Sequence, residues 1–175
     1  MDHKGRLWVA EGVNYRKFRN KTSRTHPVGD RIMIIEDMDG DGKADSSKVF
    51  WQDSSLVAPL GVAVIDNKVI ISQPPSLIAI TDVNRNDRFD DGDIKEILLT
   101  GFEGLDHDHS LHSVTVAPNG QYYFNTRNAG NADVESADLR LFTGSSYLNR
   151  TDRAKPSSDG HQYVGGVAMR MNPDG

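Results

Sequence analysis

The chain has 175 residues, a net charge of −5, 37 % hydrophobic and 26 % charged side chains, and no cysteine. That length and balance describe one folded domain with a sizeable core, and the mild acidity speaks against a nucleic-acid footprint, which needs a clustered basic face. Disulfides, zinc–thiolate centres and thiol nucleophiles are excluded, and no apolar run approaches the ~18 residues of a membrane span.

From the N-terminus, "MDHKGRLWVAEG" has no apolar stretch of the signal-peptide kind and contains a first strand, "RLWVA" (6–10). The only basic cluster, "NYRKFRNKTSR" (14–24), reads as a polar surface loop. Further short runs rich in β-branched and aromatic residues follow: 31–35, 48–51, 60–65, 68–72, 77–81, 94–99, 112–117, 121–125 and 166–171. Each reads as a strand. "IDNK" (65–68) and "APNGQ" (117–121) between them carry hairpin-turn chemistry. No segment sustains a capped 3.6-residue period, so no long helix is expected.

The strands repeat. "GRLWVAEG", "NKVIISQP" and "GQYYFNTR" recur at spacings of 62 and 53 residues, and "RIMIIEDMDGDGKAD" matches "LIAITDVNRNDRFD" at an offset of 45. A period of roughly 40–60 residues with about four short strands in each unit is that of a β-propeller. The expected fold is therefore all-β: a partial β-propeller of about three of six four-stranded blades, at about 5–52, 53–100 and 101–175. With strands labelled A to D, residues 60–99 make a whole blade. The first blade then starts at B and the third stops at C. A closed ring needs at least about four blades, so the chain is expected to form part of a longer one, with assembly of copies of itself as the alternative.

Two C–D turns are acidic. Asp37, Asp39, Asp41 and Asp45 occupy positions 1, 3, 5 and 9 of a calcium-loop pattern with Gly42 at position 6, and Asp82, Asn84, Asn86 and Asp90 repeat it. Position 12 is Lys48 in the first and Asp93 in the second, where Asp87 replaces the glycine. Calcium bound there would brace strand C to strand D. An ion-free Asx-rich turn is the alternative. In an up-and-down blade these turns share one rim with the A–B turns, and the B–C loops and D-to-A crossings share the other. Chemistry is therefore sought on the second rim.

There the crossing "TGFEGLDHDHSLHSVTVAPNG" (100–120) holds His107, His109 and His112 with Asp106 and Asp108. Imidazole beside carboxylate suits proton transfer near neutral pH. A transition-metal site and a plain solvated loop are the competing readings. The B–C loops bring Asn14, Arg16, Arg127 and Asn128 to the same side. No serine sits in a nucleophile elbow.

The stretch "LLTGFEGLDHDHSLHSVTVAPNGQYYFNTRNAG" resembles the soluble quinoprotein glucose and sorbosone dehydrogenases. "GRLWVAEG", "EDMDGDGKAD", "PLGVAV" and "TGF" resemble more closely the membrane-bound dehydrogenase domains of planctomycete-type proteins, in the same propeller superfamily. The resemblance implies a six-bladed ring with pyrroloquinoline quinone (PQQ) on its axis and a histidine that takes a proton from a sugar or alcohol hydroxyl. That histidine falls on His109. Arg127 and Asn128 are implied to line the cofactor site, although the family's glutamine falls on Ala129. An exported (periplasmic or extracellular) protein, and a haem domain elsewhere in the full protein, are further implications. The alternatives are a non-catalytic propeller module binding carbohydrate or protein, and a lactonase-like hydrolase with an axial metal.

Overall fold

In the computed structural model the chain is all-β, and among the described residues there is no helix. The structure describes residues 1–15, 24–102, 110–126, 132–136, 141–145, 156–161 and 163–173. Ten strands match the expected ones: β1 (Leu7–Ala10), β2 (Arg31–Glu36), β3 (Ser46–Gln52), β4 (Gly61–Ile65), β5 (Lys68–Gln73), β6 (Ser76–Thr81), β7 (Ile94–Phe102), β8 (Leu111–Val116), β9 (Tyr122–Thr126) and a late strand at Val167–Met171. Between β9 and that last strand lie three that the sequence reading did not contain. They are β10 (Ala132–Ser136), β11 (Leu141–Ser145) and β12 (Tyr163–Val164), so the late strand is β13.

The strands form three sheets, in the orders β1-β2-β3, β12-β11-β10-β7-β6-β5-β4 and β13-β9-β8. The first holds strands B, C and D of one blade, and β4 to β7 are A to D of the next. Strands β8, β9 and β13 are A, B and C of the third. The two A strands, β4 and β8, pack side by side, and β1 packs on β4. The architecture is a partial β-propeller.

Blade two sits between the others, and its sequence shows why. Side chains alternate across a strand, yet β5 and β6 are apolar at nearly every position. Val69, Ile71, Ile78 and Ile80 join Ile32, Ile34, Phe50 and Trp51 in the core shared with blade one. Ile70, Leu77 and Ala79 face the other way, into a core with Phe102 at the end of β7 and Leu111, Val114, Tyr122 and Phe124 of blade three. A sheet covered on both faces needs continuous apolar strands. The outer D strand β3, by contrast, is exposed over its first four residues.

The outer edge of blade two departs from a four-strand blade. β7 runs three residues past the expected end at Leu99, and β10 pairs with this extension, Ala132 with Phe102 and Ser136 with Leu99. β11 then pairs antiparallel to β10, and β12 parallel to β11. The addition leaves from the B–C connection of blade three. A bulge in the β7–β10 ladder lies against Gly101, whose φ is +95° and whose missing Cβ would stand 2.0 Å from the Asp133 carbonyl oxygen. Only glycine admits that approach. Gly101→Ala should therefore destabilise the fold by at least about 2 kcal/mol. Hydrogen exchange should show amide protection lost first over 132–136, with the β2–β3 ladder unaffected.

Candidate functional site

Strand direction places the acidic turns and the B–C loops at opposite ends of the blades. Asp30 precedes β2 and Asp37 follows it, so the two aspartates mark the two rims.

On the Asp37 rim the two C–D loops share one backbone scaffold. Asp37 accepts the N–H groups of Gly40 (2.7 Å) and Gly42 (2.9 Å). Asp82 accepts those of Asn86 (3.2 Å) and Asp87 (2.9 Å). Asp39 accepts from Asp41 N and Asn84 from Asn86 N, each at 3.1 Å. Asp41 accepts from Lys43 N and Asn86 from Arg88 N. The 45-residue offset thus holds through position 7 for three of the four bonds, the first moving from position 4 (Gly40) to position 5 (Asn86).

Beyond that point the loops differ. Asp45 takes the Met38 N–H at 2.6 Å, and its counterpart is Asp93, which takes the Val83 N–H at 2.9 Å. The second loop is three residues longer here, so Asp93, not Asp90, corresponds to Asp45.

The loops also differ in what their side chains surround. In the first, one oxygen each of Asp37, Asp39 and Asp45 lies within 4.8 Å of the others, all exposed, an arrangement that fits a hard cation. Asp41 is apart from this trio, 3.6 Å from the Lys43 ammonium. In the second loop the equivalent space is filled from within. Asn86 Nδ2 donates to Asp90 at 2.7 Å and Asn84 Nδ2 donates to it at 3.2 Å. Two amide donors stand where a cation would, and Asp82 is buried and committed to the main chain. Of the eight residues in the two patterns, three converge.

Asp87 is the residue whose role the motif did not signal. It occupies the glycine position of the loop, with φ +61° against +85° for Gly42. From there its carboxylate crosses to blade one. Arg6 Nη1 and Nη2 donate to it at 2.7 and 2.8 Å, and Lys48 Nζ at 2.6 Å. Arg6 is only 6 % exposed, and its Nε donates to Asp2 at 2.8 Å. The bidentate Arg6 pair comes first among the causes that hold the Asp87 carboxyl far below the usual range, Lys48 adding to it against the cost of burial. Asp2 is opposed by burial but still carried down to about 2 by bonds from the Trp8 indole, the Arg6 and Lys4 amides and the Arg6 side chain. On the surface, Arg85 pairs with Asp66 of the A–B turn at 2.7 Å. This rim is closed by charge pairs.

The opposite rim is built around Asp30, which is fully buried. Its oxygens accept the Asn14 N–H at 3.1 Å each and the Ala58 N–H at 2.6 Å. Asn14 is itself buried, donating to the His26 carbonyl at 2.9 Å and accepting the His26 N–H at 3.0 Å. A role for Asn14 as a site-lining group gives way to a loop brace, because its amide is spent on the main chain. Gln73 fixes the D-to-A crossing by accepting the Val57 N–H at 3.1 Å. Phe102 N donates to the Pro75 carbonyl, and Ser110 Oγ to the Phe102 carbonyl, so both flanks of the histidine-bearing crossing join this rim. His112 is half-buried on β8, its carbonyl accepting from Ser72 Oγ. His107, His109, Arg16, Arg127 and Asn128 lie outside the described residues.

The match that decides the family is to the model described as Domain of unknown function (DUF7133), over residues 1–166. The chain belongs to the DUF7133 family. No curated protein and no solved structure matches it. In this DUF7133 chain no helix among the described residues is long and apolar enough to cross a membrane.

The Asp87 latch has a pH signature. Carboxylates with depressed native values contribute stability that is fully present above their unfolded value near 4 and is lost as pH falls through the folded value. Asp87→Asn should cost about 2–3 kcal/mol at pH 7, because it strips the buried Arg6 of its bidentate partner. In urea titrations the difference from the parent should shrink below pH 4. An equal difference at pH 7 and pH 2.5 would show that the latch is not electrostatic.

Proposed function

We propose that this chain supplies blades of a quinoprotein-type oxidoreductase that oxidises a sugar or alcohol hydroxyl, with the reacting groups on the Asp30 rim. The observation that carries the reading is the division of labour between the rims. The C–D rim spends its charges on ion pairs between blades and on its own loops. The described ends of the B–C connections and the flanks of the histidine-bearing crossing, Phe102 and Ser110, lie on the other rim, where the sequence resemblance puts the reaction.

In this reading His109 is the base that takes the hydroxyl proton, a task that requires it to come within ~3 Å of the hydroxyl oxygen. Arg127 and Asn128 line the cofactor and orient it. PQQ, when bound, supplies the two-electron acceptor. The substrate is small and polar, nucleic acid is not a partner, and an exported location with a haem domain elsewhere in the protein belongs to the same reading.

Calcium enters as a structural ion in the first loop only. Asp37, Asp39 and Asp45 offer converging carboxylates that repel one another without a cation, whereas the second loop neutralises Asp90 with its own asparagine amides. Its role there is to tie β2 to β3.

The direct test is full-length protein loaded with PQQ and calcium, assayed for dye reduction over a panel of sugars and alcohols. Turnover is expected, and His109→Ala should lower kcat by at least about 100-fold while the thermal midpoint stays put. Retention of no quinone and no dye reduction would leave the non-catalytic binding module. Separately, calorimetric titration of the chain with Ca²⁺ should show one site. Asp39→Asn should abolish it and Asn84→Ala should not; two sites of equal affinity would contradict the loop comparison.

A further inference from the structure

We propose that His26, backed by Asp30, forms a second imidazole site on the B–C rim that accepts a hydrogen bond from a ligand hydroxyl. Two buried side-chain nitrogens among the described residues have no hydrogen-bond partner, Arg24 Nε and His26 Nδ1, and they fall within one tripeptide on this rim. The His26 ring is the more telling of the two. Its Nδ1 is buried and stands 3.9 Å from Oδ1 of Asp30, yet the side chain as a whole is 31 % exposed. Nδ1 is turned inward, and Nε2 is the remaining nitrogen of this partly exposed ring.

Asp30 is an unusual residue to find behind it. No Lys or Arg among the described residues forms an ion pair with it, and two backbone N–H groups, Asn14 bifurcated over both oxygens and Ala58, hold its carboxylate. Among the described residues, two neighbouring charges are engaged elsewhere. Arg31 is paired with Glu11 at 2.6 Å, and Arg24 Nη1 donates to the Ser54 carbonyl at 2.9 Å. The His26 main chain is fixed as well, both its N–H and its carbonyl being held by Asn14. A neutral imidazole has one donor and one acceptor nitrogen, and the partner of one sets the state of the other. With a carboxylate facing Nδ1, the proton belongs on Nδ1 and the lone pair on Nε2. A separation of 3.9 Å is too long for a hydrogen bond, but such contacts commonly tighten when a ligand arrives. The outcome is an acceptor nitrogen on a partly exposed ring held by a braced loop, on the rim that also receives the flanks of the histidine-bearing crossing.

The choice of a hydroxyl as ligand rests on the sugar-oxidation reading; the His26–Asp30 pairing does not. The test therefore reads the imidazole directly, without quinone or turnover. Long-range ¹⁵N–¹H correlation of the intact protein should show His26 as the Nδ1–H tautomer, and Asp30→Asn should move it toward Nε2–H. Diethyl pyrocarbonate should acylate His26 at Nε2. Saturating glucose, sorbitol or glycerol should slow that reaction at least about threefold, with His161 as the unaffected internal reference. An Nε2–H tautomer in the parent protein would overturn the pairing, and absence of protection by every polyol would overturn the ligand assignment. If Asp30→Asn does not fold, the parent tautomer decides alone, and His26→Gln, which keeps every main-chain contact of the loop, supplies the acylation blank. Failure of dye reduction in the full-length protein leaves both readouts unchanged, so the two readings fall separately.

Discussion

At the C–D rim, blade one is pinned to blade two by a single carboxylate, above the apolar core the two blades share. Asp87 adopts a left-handed backbone conformation that costs a non-glycine residue of order 1 kcal/mol or more, and the Asp82 carboxylate bonded to its amide over-determines it. The strain places its side chain between Arg6 and Lys48, and these charge-assisted bonds are the strong kind. Gly42 has the same backbone role in the first loop without the side chain, and that loop reaches no neighbour through this position. One repeat unit therefore serves two purposes, a latch between blades in the second copy and an open acidic turn in the first.

The latch decides what each rim can do. Ion pairs at Asp87, Asp2 and Asp66 consume the C–D side, whereas the B–C side is held from beneath by Asp30, Asn14 and Gln73, whose bonds go to main chain. Polar side chains satisfied in this way hold the described parts of that rim in one backbone conformation.

Much of this was legible in the sequence, for physical reasons. Ten strands announced themselves because continuous apolar runs such as "KVIIS" and "LIAIT" have no use except in a sheet covered on both faces, and because Asx-Gly turns bound them. The acidic loops were found by spacing. Their differences were not, because Asp87 and Gly42 are told apart only by what lies across the blade interface, 81 residues away in the case of Arg6. Asp90 was matched to Asp45 by counting residues, whereas the hydrogen bonds match Asp93 to it; a three-residue insertion after a common scaffold defeats counting. Strands β10 to β12 carry little intrinsic signal. "ADVES" is poor in β-formers, and β12 has two residues. Their pairing is dictated by the vacant ladder of β7, a tertiary effect that overrides local preference. His26 escaped notice because it sits in a polar loop, four residues from an aspartate whose burial no pattern revealed.

The strands added to β7 also bear on how the chain is made. Blade two can close its own four strands once Phe102 has left the ribosome, but the partner for its outermost ladder begins only at Ala132. At ordinary elongation speeds of about 5–20 residues per second, those intervening 29 positions amount to a wait of roughly 1.5–6 seconds. For that interval a nascent polypeptide displays an uncapped β-edge, the feature most prone to mispairing with neighbouring nascent chains. The stretch from 103 to 131 is therefore the span whose synthesis sets how long that edge stays open.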